Sequence, residues 1–124
     1  MPGKARAGAV IFTANKDRLA AFYSALTSLP VRVDDETITV LASDHFELVL
    51  HALPNEPAGQ PAPREDVYIK PFFPVRSLSE ARATAARLGG QLRPQADEWE
   101  ARGFRACEAT DPDGNLIQFR EEAR

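Results

Sequence analysis

Few side chains in this chain can bind a metal or act as a nucleophile. The sequence has one cysteine, Cys107, and two histidines, His45 and His51. A single cysteine excludes an internal disulfide and a zinc site built from several cysteines. Glu47 and His51 fall on one face of a predicted strand, but at about 3.3 Å per residue their Cα atoms are about 13 Å apart, too far to chelate one ion. His45 stands beside a predicted turn, where we expect it to be exposed.

The remaining nucleophile signals point to structure and not to catalysis. Cys107 lies inside a predicted strand with no histidine base paired to it in the sequence, which favours a buried thiol that packs as a small apolar side chain. The adjacent glycines Gly89 and Gly90 follow a predicted helix and lack the further glycines of a phosphate-binding loop. We therefore predict no catalytic residue.

Length, composition and charge set the class of protein. The chain has 124 residues, of which 44% are hydrophobic and 27% charged, with a formal net charge of −3. This composition is typical of a globular domain and excludes a disordered chain or a coiled coil. No apolar run approaches the roughly 20 residues of a membrane span, and the charge balance gives no basic surface for nucleic acid. Because no signal-like apolar segment follows the start, we expect a cytoplasmic protein that binds neither membranes nor nucleic acid.

The first half of the chain predicts a strand, a helix and two further strands. Asn15 is a suitable N-cap, and the apolar stripe after it runs at helical spacing to Leu29, before Pro30. Ser43 and Asp44 supply a turn between the later strands. The predicted strands are Ala9–Thr13, Thr37–Leu41 and Phe46–His51.

The second half repeats this plan. Ser77 and Glu80 form a capping box, and Gly89 and Gly90 end the helix that follows. The predicted strands are Val67–Val75, Phe104–Ala109 and Leu116–Arg120, with a tight turn over Asp111–Asn115. The two caps, Asn15 and Ser77, lie 62 positions apart, as do Leu26 and Leu88 late in each stripe, which indicates an internal duplication.

Four prolines between positions 54 and 63 separate the two halves. Such a segment has no periodicity and predicts a surface connection. We therefore expect one domain over 1–124, with a first module at about 7–53, a proline-rich connection over 54–64 and a second module at about 65–122. Each half carries too few elements to enclose a core alone, so the modules must pair, either within one chain or between two chains.

The segment Asp111–Glu121 resembles the closing segment of the vicinal oxygen chelate superfamily, which includes glyoxalase I, the bleomycin resistance proteins and the extradiol dioxygenases. The resemblance extends over about residues 7–121. It implies an α+β fold with two βαβββ modules whose paired sheets form a concave cleft.

The resemblance also implies where a divalent metal would be held. The ligand positions of the family's enzymes fall on Gly8 in the opening strand, Lys70 in the strand that opens the second half, and Gln118 in the last strand. Gly8 has no donor atom, Lys70 with an ordinary pKa of about 10.4 is protonated, and Gln118 offers only a neutral amide oxygen. We therefore expect a member with no metal and no cofactor. The alternative is a metal-dependent lyase, isomerase or dioxygenase whose non-standard site uses Gln118 with Glu47 or His51.

Side-chain alternation along the strands predicts which residues line the cleft. Phe46, Leu48 and Leu50 should pack on the helix, as should Ile117 and Phe119. Trp99 and Phe104 fall in a stretch predicted to be irregular, which could cover the site. The predicted ligand-binding residues are Glu47, Val49, His51, Lys70, Phe72, Trp99, Phe104, Gln118 and Arg120. The alternative is that Phe72, Trp99 and Phe104 are core or dimer contacts.

Two functions follow from these observations. The resemblance to the bleomycin resistance proteins, which sequester antibiotics, implies a homodimer that binds a small molecule with an aromatic body. The cleft itself suits this function, since ligand sites are apolar and carry few polar groups. The alternative, from another class, is an interaction module whose sheet edge binds a protein partner.

Overall fold

Two mixed β-sheets, each carrying one helix, make up the computed structural model, which describes residues 5–53 and 67–122. The first module contains β1 (Ala7–Thr13), α1 (Lys16–Thr27), β2 (Val31–Asp34), β3 (Ile38–Ala42) and β4 (Phe46–Ala52). Its strands form a sheet in the order β1-β4-β3-β2, in which β1 is parallel to β4. The predicted proline-rich connection over 54–64 lies outside the described residues.

The second module repeats this topology with one strand divided in two. It contains β5 (Phe72–Pro74), α2 (Leu78–Arg87), β6 (Gln91–Leu92), β7 (Trp99–Ala101), β8 (Phe104–Thr110) and β9 (Leu116–Glu122). The strand order is β5-β9-β8-β6, and β7 also pairs with β8. A 3₁₀ helix at Gln95–Asp97 separates β6 from β7. The predicted α+β class with two βαβββ modules is confirmed.

The two helices begin as the sequence predicts. The Asn15 side chain accepts a hydrogen bond from the Arg18 backbone N–H, and Ser77 accepts one from that of Glu80. The first helical residues, Lys16 and Leu78, are again 62 positions apart, in keeping with the predicted duplication. No helix in the described parts of the chain is long and apolar enough to cross a membrane.

Four local predictions are wrong. The first helix ends at Thr27 and not beside Pro30, because Ser28 takes a left-handed conformation with φ 59°. The strand β2 has no counterpart in the prediction; all four of its residues are exposed, so it lacks the in-and-out alternation that marks a strand. The predicted strand Val67–Val75 shrinks to the three residues of β5, because a proline has no N–H for a ladder and Pro71 stands directly before it.

The fourth correction concerns the residues expected to cover the site. Phe104 begins β8, in agreement with the predicted strand Phe104–Ala109. Trp99 does not belong to an irregular stretch, since it begins β7, which pairs with β8 as an antiparallel hairpin. Arg102 and Gly103 form its turn with positive φ values of 44° and 86°. A tight turn of this kind joins two short strands without a hydrophobic run to mark the first of them.

One buried cluster joins the two modules. Phe22 and Tyr23 of α1 contact aromatic residues of the second sheet, with ring centroids 6.5 Å apart for Phe22 and Phe119 and 5.6 Å for Tyr23 and Phe73. The predicted stripe residues Leu19, Phe22, Tyr23 and Leu26 are all buried. As predicted, neither module therefore encloses its core alone.

A buried hydrogen bond ties the first module to the Asp111–Asn115 turn of the second. The Tyr23 hydroxyl donates to Asp111 Oδ2 at 2.6 Å, and Asp111 is 2% exposed. The same carboxylate accepts hydrogen bonds from the backbone of Asp113 and from the backbone and side chain of Asn115. Burial raises the pKa of Asp111 above its ordinary value, although these hydrogen bonds oppose the shift. The motif that carries the family resemblance thus joins the two modules.

Candidate ligand-binding site

A cavity of about 530 Å³ lies between the two modules. This volume suits a small organic molecule. The start of β1, the residues after α1, the β3–β4 turn and the segment that leads into β5 all contribute to its wall. The lining residues are Gly8, Ala9, Thr27, Leu29, Ser43, Phe46, Ile69, Lys70, Pro71, Phe72, Phe73 and Pro74. Lys70 is the one charged residue among them.

The neighbouring strand β4 leaves no room for a side chain at position 8, where the sequence has glycine. It pairs in register with Glu47 in the parallel β1–β4 ladder. A Cβ atom added at Gly8 would overlap the backbone carbonyl of Glu47 and lie 3.0 Å from its Cγ. The first ligand position implied by the resemblance therefore presents only backbone to the cavity.

Lys70 is held by a carboxylate of the second sheet. Its Nζ lies 2.7 Å from Glu108 Oε2, and each side chain is 32% exposed. Glu108 pairs across the β8–β9 ladder with Gln118, so the ion pair lies beside the third implied ligand position. The positive charge of Lys70 is thereby compensated within the protein.

Arg120 is packed between two aromatic rings. Its Cζ lies 3.5 Å from the ring centroid of Phe72 and 4.3 Å from that of Phe104. These rings come from β5 and β8, which flank β9 on opposite sides. The Nε–H of Arg120 donates to Gln118 Oε1 at 2.6 Å. Four of the predicted site residues, Phe72, Phe104, Gln118 and Arg120, therefore form one contact group.

Trp99 is positioned by the residue before it. Glu98, whose side chain is 4% exposed, accepts hydrogen bonds from Arg82 of α2 and from Arg105 of β8, the latter at 2.6 Å. Burial alone would raise the pKa of Glu98, but the hydrogen bonds and charges of the two arginines outweigh it and hold the pKa below its ordinary value. Trp99 pairs with Ala106, which in turn pairs with Arg120 across the sheet. The indole thus shares a row with the Arg120 group.

The three predicted site residues of the first sheet lie apart from this group. Leu48 and Leu50 of β4 are buried, whereas Glu47, Val49 and His51 alternate with them on the other face. The His51 ring lies 5.2 Å from that of Phe12, and its Nδ1 is 2.9 Å from the carbonyl oxygen of Ala52. Within residues 5–53 and 67–122, no hydrogen bond or ion pair connects these three residues to the Arg120 group.

The donor atoms do not suit a metal ion. Among the described residues, no group of three or more histidine, cysteine, aspartate or glutamate side chains could hold one. At the implied positions Gly8 is sterically closed, Lys70 presents an ammonium group, and the amide oxygen of Gln118 already accepts from Arg120. A divalent cation there would also face the guanidinium of Arg120, for which no carboxylate partner is described. Cys107 is fully buried, and burial raises the pKa of its thiol, so a reactive thiolate is disfavoured.

Several cavity residues are not marked by the sequence pattern. Leu29 is predicted as part of the helix and Phe46 as a helix-packing residue, yet both line the cavity. Ile69 is 85% exposed and lies in the segment predicted as strand. The signal that could have found Phe46 is its place at the start of β4, opposite Ala7 and next to Gly8 in the ladder.

Known proteins share this architecture over nearly the whole chain. A crystal structure of a glyoxalase/bleomycin resistance protein/dioxygenase family enzyme from Burkholderia phytofirmans matches with a TM-score of 0.71 and 15% identity, covering 95% of this chain and 99% of that one. A glyoxalase/bleomycin resistance protein from Albidiferax ferrireducens matches with a TM-score of 0.69 and 17% identity, covering 94% and 97%. At such identities these structures establish the fold alone.

A third similar structure also covers nearly the whole of both chains. An integron cassette protein from V. Cholerae matches with a TM-score of 0.63 and 21% identity, covering 98% of this chain and 97% of that one. A search of curated protein sequences found no significant match. The family model of the glyoxalase-like domain, however, matches residues 8–119. This chain therefore belongs to the glyoxalase-like domain family, within the vicinal oxygen chelate superfamily.

Proposed function

We propose that this protein binds and sequesters a small organic molecule in the cavity between its modules, without a metal centre. The observation that carries this proposal is the chemistry of the cavity wall, which includes Gly8 and Lys70, the residues at two of the ligand positions that the resemblance implies. One is closed by the Glu47 backbone and the other is an ammonium group paired with Glu108. What remains is an apolar cavity with few polar groups, which is the usual form of a small-molecule site.

The exposed sheet faces support a homodimer. Val10 and Phe12 on β1 are 53% and 58% exposed, and Phe72 on the second sheet is 54% exposed. Apolar side chains grouped in this way on both sheets are typical of a surface that another protein covers. A second copy of the chain would supply a complementary apolar face for each sheet, and it would bring the Glu47, Val49 and His51 side of one copy toward the Arg120 group of the other.

Light scattering coupled to size exclusion tests this assembly. We expect a mass of twice 13.6 kDa for the wild type. Phe12→Ser should shift the population toward the monomer, because it removes exposed apolar area without touching the core. Arg87→Gln, at an exposed position on α2, is the control and should leave the mass unchanged. A wild-type monomer at all concentrations would contradict the homodimer.

Metal content and ligand-dependent melting test the binding function. Elemental analysis of the purified protein should find no stoichiometric zinc, nickel, manganese or iron. Melting temperature measured with a panel of aromatic and aliphatic acids, amides and amines should rise for the compounds that bind, because binding to the folded state stabilises it by mass action. Retention of one metal ion per chain would overturn the metal-free proposal in favour of the lyase, isomerase or dioxygenase alternative.

A further inference from the structure

The second sheet carries a guanidinium group that the protein holds in place but does not neutralise. On the sheet face that carries Gln118 and Arg120, the one described ion pair is that between Lys70 and Glu108. No described carboxylate lies within 4.0 Å of the Arg120 nitrogens. The one hydrogen bond described for Arg120 is that from Nε to Gln118. The four N–H donors of Nη1 and Nη2 thus have no partner among the described residues.

Two aromatic rings and one hydrogen bond hold this guanidinium. The Arg120 Cζ lies 3.5 Å from the ring centroid of Phe72 and 4.3 Å from that of Phe104, and the hydrogen bond from Nε to Gln118 restricts the side chain further. A planar guanidinium whose Nη groups have no described partner presents parallel N–H groups that match the two oxygens of a carboxylate. Because the side chain is already ordered, a ligand loses less conformational entropy on binding it.

Arg120 also lies where the apolar cavity meets a polar one. A second cavity, of about 660 Å³, lies between the end of α1 and the start of α2, and Arg120 is among its lining residues. Thr27 and Pro74 line both cavities, so the two adjoin. Phe72 lines the apolar cavity and contacts Arg120, which places the cationic group at the boundary between them.

We infer that the ligand is an organic carboxylate with an apolar or aromatic body, whose carboxylate is bound by Arg120. This inference rests on the proposed function and specifies the charge of its ligand. The polar cavity is lined by a second cation, Arg76, and by two anions, Glu80 and Glu122, so together with Arg120 the formal charges of its wall cancel. Selectivity must therefore come from the directional hydrogen bonds of the ordered guanidinium, and the charge of Lys70, which Glu108 compensates, contributes little.

Three naphthalene probes of nearly equal size test the charge. Isothermal titration calorimetry of the wild type would use 1-naphthoate, the neutral 1-naphthamide and the cationic 1-naphthylmethylammonium ion. We expect 1-naphthoate to bind at least tenfold more tightly than the other two, since hydrogen bonds to charged groups contribute about 1.5–3 kcal/mol and 1.4 kcal/mol is tenfold. Equal affinities for the three probes would overturn the carboxylate inference and leave the cavity function standing, whereas binding of none would overturn both.

Variants of Arg120 test the residue itself. Arg120→Gln should remove the preference for 1-naphthoate over 1-naphthamide, and Arg120→Lys should keep part of it, because it retains the charge but lacks the planar fork. Arg87→Gln makes the same change of charge at an exposed position and should leave the preference intact. Far-UV circular dichroism verifies that each variant is folded. If Arg120→Gln does not fold, Arg120→Lys still tests the assignment, because it keeps a positive charge beside the two rings. A carboxylate preference that survives in either folded Arg120 variant at the wild-type level would refute the assignment.

Discussion

The hydrogen bond between Tyr23 and Asp111 should contribute measurably to stability, and Tyr23→Phe removes it alone. The ring stays in place, so its contacts with Phe22 and Phe73 are kept. A hydrogen bond to a charged group contributes about 1.5–3 kcal/mol. Asp111 retains its hydrogen bonds from Asp113 and Asn115, so its carboxylate is not left unpaired. We therefore expect a loss of about 2 kcal/mol in the free energy of unfolding at pH 7.

The loss should also depend on pH in a defined direction. Burial raises the folded-state pKa of Asp111 above its ordinary value of 3.8, so the stability linked to its protonation is present at low pH and is lost as the pH rises through the folded pKa. The Tyr23 hydrogen bond lowers that pKa, and its removal raises the pKa further. The variant therefore gains more stability on acidification than the wild type, and the difference should shrink toward about 1 kcal/mol as the pH falls through the folded pKa of Asp111.

Urea denaturation followed by circular dichroism measures both effects. With an unfolding entropy of about 2.1 cal/mol/K per residue, 2 kcal/mol in a chain of this length lowers the melting temperature by about 8 °C. Tyr68→Phe is the matched control, because Tyr68 is the other tyrosine and is fully exposed. It should change stability by less than about 0.5 kcal/mol. A loss for Tyr23→Phe no larger than that of the control, or one that grows on acidification, would refute the reasoning.

Three further substitutions give independent expectations. Glu98→Gln should lower the free energy of unfolding by about 2 kcal/mol at pH 7. Because the folded-state pKa of Glu98 is lowered, this contribution is present above about pH 4.5 and disappears as the pH falls through the folded pKa. The urea midpoints of the variant and the wild type should therefore converge in acid. Gly90→Ala should lower the free energy of unfolding by about 3 kcal/mol, because the new Cβ would overlap the Phe22 ring. Gly103→Ala should lower it by only about 1 kcal/mol, since Gly103 has a positive φ but open space around it. Equal losses for the two variants in thermal melts would contradict this packing argument. Gly8→His should lower the melting temperature by several degrees and give no zinc retention by elemental analysis, and a zinc-stabilised variant would show that the Glu47 backbone can give way.

The sequence predicts most of the fold because its local signals agree with its global one. The caps Asn15 and Ser77 and the turn at Asp111–Asn115 depend on short-range hydrogen bonds that the residues themselves make, and all three are present. By contrast, β2 and β7 are short strands, each paired as a hairpin with the strand that follows it, β3 and β8. Neither alternates between buried and exposed residues, since β2 is wholly exposed and β7 nearly so. A strand at a sheet edge can form on ladder hydrogen bonds alone, which no side-chain pattern records.

The candidate site is predicted less completely, for a related reason. Alternation assigns Gln118 and Arg120 to one face of β9, and the structure places them so. Alternation cannot indicate that Glu108 pairs with Lys70, since that contact depends on where the segment before β5 lies relative to β8. Nor can it show that Phe72 and Phe104 lie on opposite sides of Arg120, which follows from the strand order. Side-chain type and face are local properties, whereas charge compensation depends on tertiary contacts.

That difference changes which residue should determine the ligand's charge. From the sequence alone, Lys70 at one implied ligand position favours an anionic or carbonyl group, whereas the net charge of −3 weakly favours a cation, so the ligand's charge stays open. In the folded chain Glu108 compensates Lys70, while Arg120 keeps its edge donors and gains two aromatic neighbours. A lysine ammonium in such an ion pair exchanges one anion for another with little net gain, because a ligand must displace the carboxylate. A carboxylate ligand that binds the ordered guanidinium of Arg120 displaces no described carboxylate, and it should therefore select Arg120. Lys70→Gln should accordingly weaken its binding less than Arg120→Gln.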